Sequence, residues 1–154
     1  MAAERRLSRE TGPVRLESVQ ARLAQCLYLM GSSRANQAWY LFGTTTQLIL
    51  SLGLHSQRHS RTPYTGNGLV EEECRRRVFW SAYTLDKYFN IILGRPGMFR
   101  DEDIDQQLPA RLNDAELGTE KSRPHSGWNQ CIMDAPVYHI KYAPPFTNLN
   151  MLHF

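Results

Sequence analysis

His55 and His59 stand four residues apart, a spacing that on a helix brings two imidazoles to one side and could hold a metal ion. In zinc hydrolases with this spacing a glutamate follows the first histidine, and here Ser56 stands in its place. The pair also falls where a helix is ending, so no metal site is expected. Cys26, Cys74 and Cys131 are widely separated, with no Cys-x-x-Cys pair and no close histidine, which speaks against both a disulfide framework and a zinc site. Cys26 and Cys74 fall on apolar helix sides and read as small core residues rather than nucleophiles. No glycine-rich phosphate cradle and no Gly-x-Ser-x-Gly elbow occurs, and an enzyme is not expected.

The charged run from Glu71 to Arg77 is the densest concentration of ionisable groups. Its three acids precede its three arginines by four residues each, as Glu71–Arg75, Glu72–Arg76 and Glu73–Arg77. That order suits both side-chain pairing and the helix dipole. Neutralisation along one helix is therefore a simpler account than a nucleic-acid patch, each exposed pair adding about 0.3–0.5 kcal/mol. Asp86 sits among aromatic residues, where an unpaired carboxylate is costly, and Arg76 or Arg95 is the expected partner. Trp39, Trp80, Tyr83, Tyr88 and Phe89 could line a small-molecule pocket between helices, although aromatics at helical spacing more often fill a core.

The elements that carry these residues are helices. Leu16, Val19, Leu23, Leu27 and Met30 recur at steps of three and four, predicting an amphipathic helix from Val14 to Gly31. Ser33 is the expected N-cap of a second helix reaching about Leu54, with Ala38, Leu41, Thr45, Leu48 and Leu52 on one stripe. The short connection makes these two an antiparallel hairpin. A polar, basic stretch containing Arg58 and Arg61 reads as a loop. A third helix from about Leu69 to Leu93 is apolar nearly all round, which places it at the centre of a helical domain. One face carries Val78, Ser81, Leu85, Tyr88 and Ile92. Gly94 in Gly94-Arg95-Pro96-Gly97 ends that helix, since glycine suits the left-handed cap and proline cannot continue. An extended acidic arm follows, closed by Pro109, whose acids either answer the basic loop or face water. The expected class is all-α, stacked antiparallel helical hairpins, as part of a larger helical domain.

The chain has 154 residues, 42% hydrophobic and 21% charged, with a net charge of +3, which excludes wholesale disorder and neither demands nor excludes nucleic acid. No run is long enough for a transmembrane helix, and the charged first ten residues lack the apolar core of a signal peptide. An intracellular protein without a membrane partner is the expectation.

The stretch from Glu71 to Pro109 resembles the fungal-specific transcription factor domain, the regulatory middle region of fungal zinc-binuclear-cluster regulators. The resemblance rests on Glu72 or Glu73, Arg76 and Arg77, Phe79 and Trp80, Asp86 and Lys87, Gly94-Arg95-Pro96, Asp103-Ile104-Asp105 and Leu108-Pro109. Upstream, Ala38-Trp39 and Leu52-Gly53-Leu54-His55 extend it, so that it runs from Val14 to Pro109. It implies a nuclear regulator of transcription whose DNA is read through a six-cysteine cluster holding two zinc ions. Three cysteines cannot supply that cluster, so no cofactor is expected in this chain, and DNA contact belongs to a module it does not contain. A small-molecule effector or a protein partner is also implied. The motif residues read as scaffold first. The expected division is a polar lead-in over 1–13, the regulatory domain in part over 14–118, and a C-terminal segment over 119–154 in which two prolines break a short helix. A stand-alone helical-repeat interaction module is the alternative, since paired amphipathic helices are what such proteins present.

Overall fold

A computed structural model describes residues 14–57, 66–117 and 131–142. These residues form four α-helices and no strand: α1 Leu16–Gly31, α2 Ala35–Ser51, α3 Gly66–Leu93 and α4 Asp134–Tyr142, with two single 3-10 turns between α3 and α4. The all-α class is as expected. No helix among them is long and apolar enough to cross a membrane.

The hairpin of α1 and α2 turns differently from its expected form. Ser33 is not the N-cap of α2; it is the left-handed residue that closes α1, with φ of 58°. Its N–H donates to Met30 O, and the next N–H, of Arg34, reaches back to Leu29 O at 2.9 Å. That pair of bonds defines a Schellman cap, and the position favours glycine. The end of α2 repeats the arrangement with the preferred residue, Gly53 at φ of 64°. There Leu54 N–H donates to Ile49 O, and both side chains are fully buried. The helix consequently stops at Ser51, three residues before its expected end.

Val19, Leu23 and Cys26 of α1 meet Ala38, Phe42 and Ile49 of α2 and Phe79, Ala82 and Phe89 of α3 in one core. Phe42 packs on Phe89 at 5.2 Å between centroids, and Phe99 from the following loop stands edge-on to Phe79 at 5.5 Å. Thr45 and Thr46 are buried at no cost in unmet hydrogen bonds, since their hydroxyls donate to Leu41 O and Phe42 O one turn back. Cys26 is fully buried, its thiol 3.6 Å from Ala38 O, whereas Cys74 is only half-buried. Burial pushes the Cys26 thiol up to about 12, with Arg22 pulling weakly the other way.

The inward side of α3 also differs from the stripe expected. Phe79, Ala82, Asp86 and Phe89 point to the core, while Ser81, Tyr88 and Ile92 are exposed. Leu27 of α1 is likewise 60% exposed, because Cys26 takes the core position beside it. After α3 the chain turns at Gly94, whose φ is 61°, and runs back along the helix as an extended arm through Leu112.

Candidate functional site

The residues that looked most chemical lie along α3 and hold that arm. Asp86 is 1% exposed, and neither Arg76 nor Arg95 pairs with it, contrary to expectation. It accepts instead from the main chain. The N–H of Met98 lies 2.9 Å from each carboxylate oxygen, and the N–H of Phe99 lies 3.2 Å from Oδ2. Two backbone donors in a tight loop supply what a cation would have supplied, at the full burial of the group. Burial pushes the Asp86 carboxyl above its usual range, against the pull of these two N–H groups and of Lys87.

Along α3 toward its N-terminus the same logic repeats. Tyr83 donates its hydroxyl to Asp101 Oδ1 at 2.9 Å, and Lys87 pairs with the same oxygen while lying over the Tyr83 ring. Burial first, then Asp101, pushes the Tyr83 phenol up. Trp80 Nε1 donates to Gln107 O at 2.7 Å. Glu73 accepts from Ala110 N–H at 3.0 Å and pairs with Arg77 at 2.8 Å. Arg77 also donates to Leu112 O and pairs with Asp114. Although burial works against its charge, these bonds to Glu73 and Asp114 raise the Arg77 pKa. Gln106, which carried no sequence signal, is buried with its amide on Leu54 O. Positions 73, 77, 80, 83 and 87 follow helical steps of three and four, so one face of α3 grips an arm running antiparallel to it.

The charged run is thus not a set of exposed pairs. Glu72 and Glu73 are buried, with Arg76 3.5 Å from Glu72 and 3.9 Å from Glu73. Arg75 leaves Glu71 and donates to Leu52 O at the end of α2. Arg95 stacks its guanidinium on Trp39 at 4.2 Å and donates to Asn36, so it fastens the turn to α2. Pro96 is exposed, and Gly97 comes so close to Asp86 that a Cβ there would lie 3.0 Å from Oδ2. Of the arm's acids, Asp103 faces water, while Asp105 accepts from Gln57 N–H and donates its own N–H to His55 O. Arg58 and Arg61 lie outside the described residues, as does His59. Pro109 is buried, and Arg111 pairs with Asp134 at the start of α4. Pro136 sits in the first turn of that helix, where proline is tolerated.

The aromatic set expected to line one pocket is dispersed. Phe89 is in the core, Tyr83 is buried under Lys87, and Trp39 lies beneath Arg95 on the α2 side. Trp80 and Tyr88 do line a groove of about 690 Å³, with α4 as its far wall. The thiols do not fit a two-zinc cluster. Cys26 is spent in the α1–α2 seam, and no group of three His, Cys, Asp or Glu among the described residues could hold a metal.

This chain is similar to fungal regulators. It is 33% identical over 115 residues to Activator of stress genes 1 of Saccharomyces cerevisiae, a match covering 75% of this chain and 12% of that protein. It is 39% identical over 97 residues to an ABC-transporter-regulating transcription factor of Aspergillus fumigatus, covering 62% of this chain and 10% of that one. Pyrimidine pathway regulatory protein 1 of Saccharomyces cerevisiae is 31% identical over 101 residues, 66% of this chain and 11% of its own. The chain therefore spans only 10 to 12% of the length of these curated relatives. No solved structure matches it. The family match covers residues 2–150, wider than the Val14 to Pro109 stretch that carries the motifs. On that coverage, the chain belongs to the fungal specific transcription factor domain family.

Proposed function

We propose that this chain is part of the regulatory region of a nuclear transcription regulator, a scaffold that passes on an effector or partner signal and performs no catalysis. The observation that carries this reading is how the polar residues of α3 are used. Asp86, Tyr83, Lys87, Trp80, Glu73 and Arg77 all bond to the arm, most of them to its main chain. Groups spent on holding a segment in place are positioned, desolvated and unavailable to attack a substrate. DNA is read by another module, since the arginine run of α3 is engaged within the fold, Arg75 on Leu52 O, Arg76 on Glu72 and Arg77 on Glu73, and three cysteines are too few for a six-cysteine cluster.

Two measurements test the proposal. Fused to an unrelated DNA-binding domain in a yeast reporter strain, the chain is expected to change reporter output relative to that domain alone, and Asp86→Ala is expected to abolish the change. Unchanged output for the intact fusion would overturn the regulatory role. In a duplex-DNA titration the chain alone is expected to show no specific affinity, and a steep salt dependence would contradict the assignment of DNA reading to another module.

A further inference from the structure

The groove beside Trp80 is lined by four parts of the fold. Leu27 of α1, the Trp80–Tyr88 stretch of α3, Pro109 of the arm, Met133 just before α4, and Pro136 and His139 of α4 all face it. Its volume of about 690 Å³ lies in the range of small-molecule sites, roughly 300–1,000 Å³. Its lining is almost wholly apolar and aromatic. Trp80 has its N–H on Gln107 O, and Arg77 is bound to Glu73, Asp114 and Leu112 O, so its charge is already balanced by two carboxylates. The Ser81 and Thr84 hydroxyls are what α3 leaves for a polar contact. At the mouth the rings of Tyr88 and His139 stack at 5.5 Å and 18°, both with their outer surfaces exposed.

We infer that this groove is a binding site for a neutral, planar, largely apolar small molecule, seated over Thr84 and against the Tyr88–His139 stack. A charged ligand would lose its hydration without gaining a counter-charge. A flat apolar one covers Leu27, Trp80 and Met133 and extends an aromatic stack already formed. A volume of about 690 Å³ is that of a small-molecule site, which favours a compact molecule. That the ligand acts as an effector rests on the regulatory reading above; that it binds does not.

The probe is 1-aminoanthracene, a neutral planar fluorophore, titrated into the 154-residue chain with circular dichroism checking the helix content of every variant. Saturable binding at one site is expected. Ala135→Trp, an exposed position lining the groove, is expected to fill it and remove saturable binding. Tyr88→Ala removes one stacking partner and is expected to weaken binding about two- to tenfold. Tyr40→Ala, 66% exposed on α2 and outside this groove, is expected to leave affinity unchanged. Non-saturable uptake overturns the proposal, as does equal weakening by Tyr40→Ala or full binding to Ala135→Trp. Binding by a chain that fails in the reporter strain would retain the site and remove the regulatory reading; the reverse result would do the opposite.

Discussion

Replacing Gly97 with alanine isolates the contact on which the return arm depends. The backbone at Gly97 does not have the positive φ of Gly53 and Gly94, so alanine there meets no conformational penalty of its own. Its Cβ would stand 3.0 Å from Asp86 Oδ2 and 3.8 Å from Cγ. The carboxylate cannot retreat, because it is buried on the core side and tied to the N–H groups of Met98 and Phe99. Forcing one extra methyl into a packed site costs about 1–3 kcal/mol. Against this, alanine restricts the unfolded chain and returns about 0.4–1 kcal/mol. The net expectation is a loss of about 1–2 kcal/mol, read as a lowered urea midpoint with an unchanged slope.

The same substitution behaves differently once Asp86 is shortened. Asp86→Ala leaves two buried N–H groups without their acceptor, a loss of about 2–5 kcal/mol on its own. In that background the obstacle to the Gly97 methyl is gone, so Gly97→Ala becomes neutral or mildly stabilising. The two changes are therefore coupled by about 1–3 kcal/mol in a double-mutant cycle, and Asp86→Ser serves as a gentler partner where Asp86→Ala leaves too little stability to measure. Equal cost of Gly97→Ala with and without the Asp86 carboxylate would refute the close approach as the reason for glycine.

Other perturbations test the remaining clamps and caps. Arg77→Met deprives the buried Glu73 of its nearest cation and frees Leu112 O, so a loss of about 3–5 kcal/mol is expected, with faster tryptic cleavage at Arg111 seen by mass spectrometry. Ser33→Gly relieves a left-handed residue at the α1 cap and is expected to raise stability by about 0.5–1 kcal/mol in urea unfolding. Thiol labelling of the native protein is expected to reach the half-buried Cys74 well before Cys26, whose thiol burial holds up to about 12; rapid labelling of Cys26 would mean that the α1–α2 seam opens. The Asp86 carboxyl is raised in the fold, so the folded state binds its proton more tightly than the unfolded chain. Wild-type stability measured against Asp86→Asn is accordingly expected to improve as pH falls through that raised value toward 3.8, and a gap independent of pH would count against it.

The helices were legible because their apolar spacing is strong, yet the phase of α3 was not. A helix apolar on nearly every side has no single stripe to orient, so the sequence could not tell Phe79, Ala82 and Phe89 inside from Ser81, Tyr88 and Ile92 outside. Ser33 shows a second blind spot. Serine is a favoured N-cap, and nothing local reveals that the turn's geometry needs a left-handed residue two positions before the next helix. Asp86 shows a third. Reasoning by charge looked for an arginine, whereas a buried carboxylate is equally served by main-chain donors that carry no sequence mark of their own.

That last point bears on how α3 and the arm divide the work of recognition. Glu73, Trp80 and Asp86 each address a main-chain group of the arm, at Ala110, Gln107, Met98 and Phe99, and Arg77 adds Leu112 O. Such contacts fix the residue type on the helix side, because only particular side chains reach and carry the right donor or acceptor. On the arm side they fix almost nothing but the path. The exceptions are where the arm must come close or contribute charge: Gly97 against Asp86, Asp101 beneath Tyr83 and Lys87, and Asp114 against Arg77. Helix and arm are therefore one mechanical unit, with its specification written on α3. Pro109 and the Arg111–Asp134 pair join that unit to α4, which gives the groove its far wall.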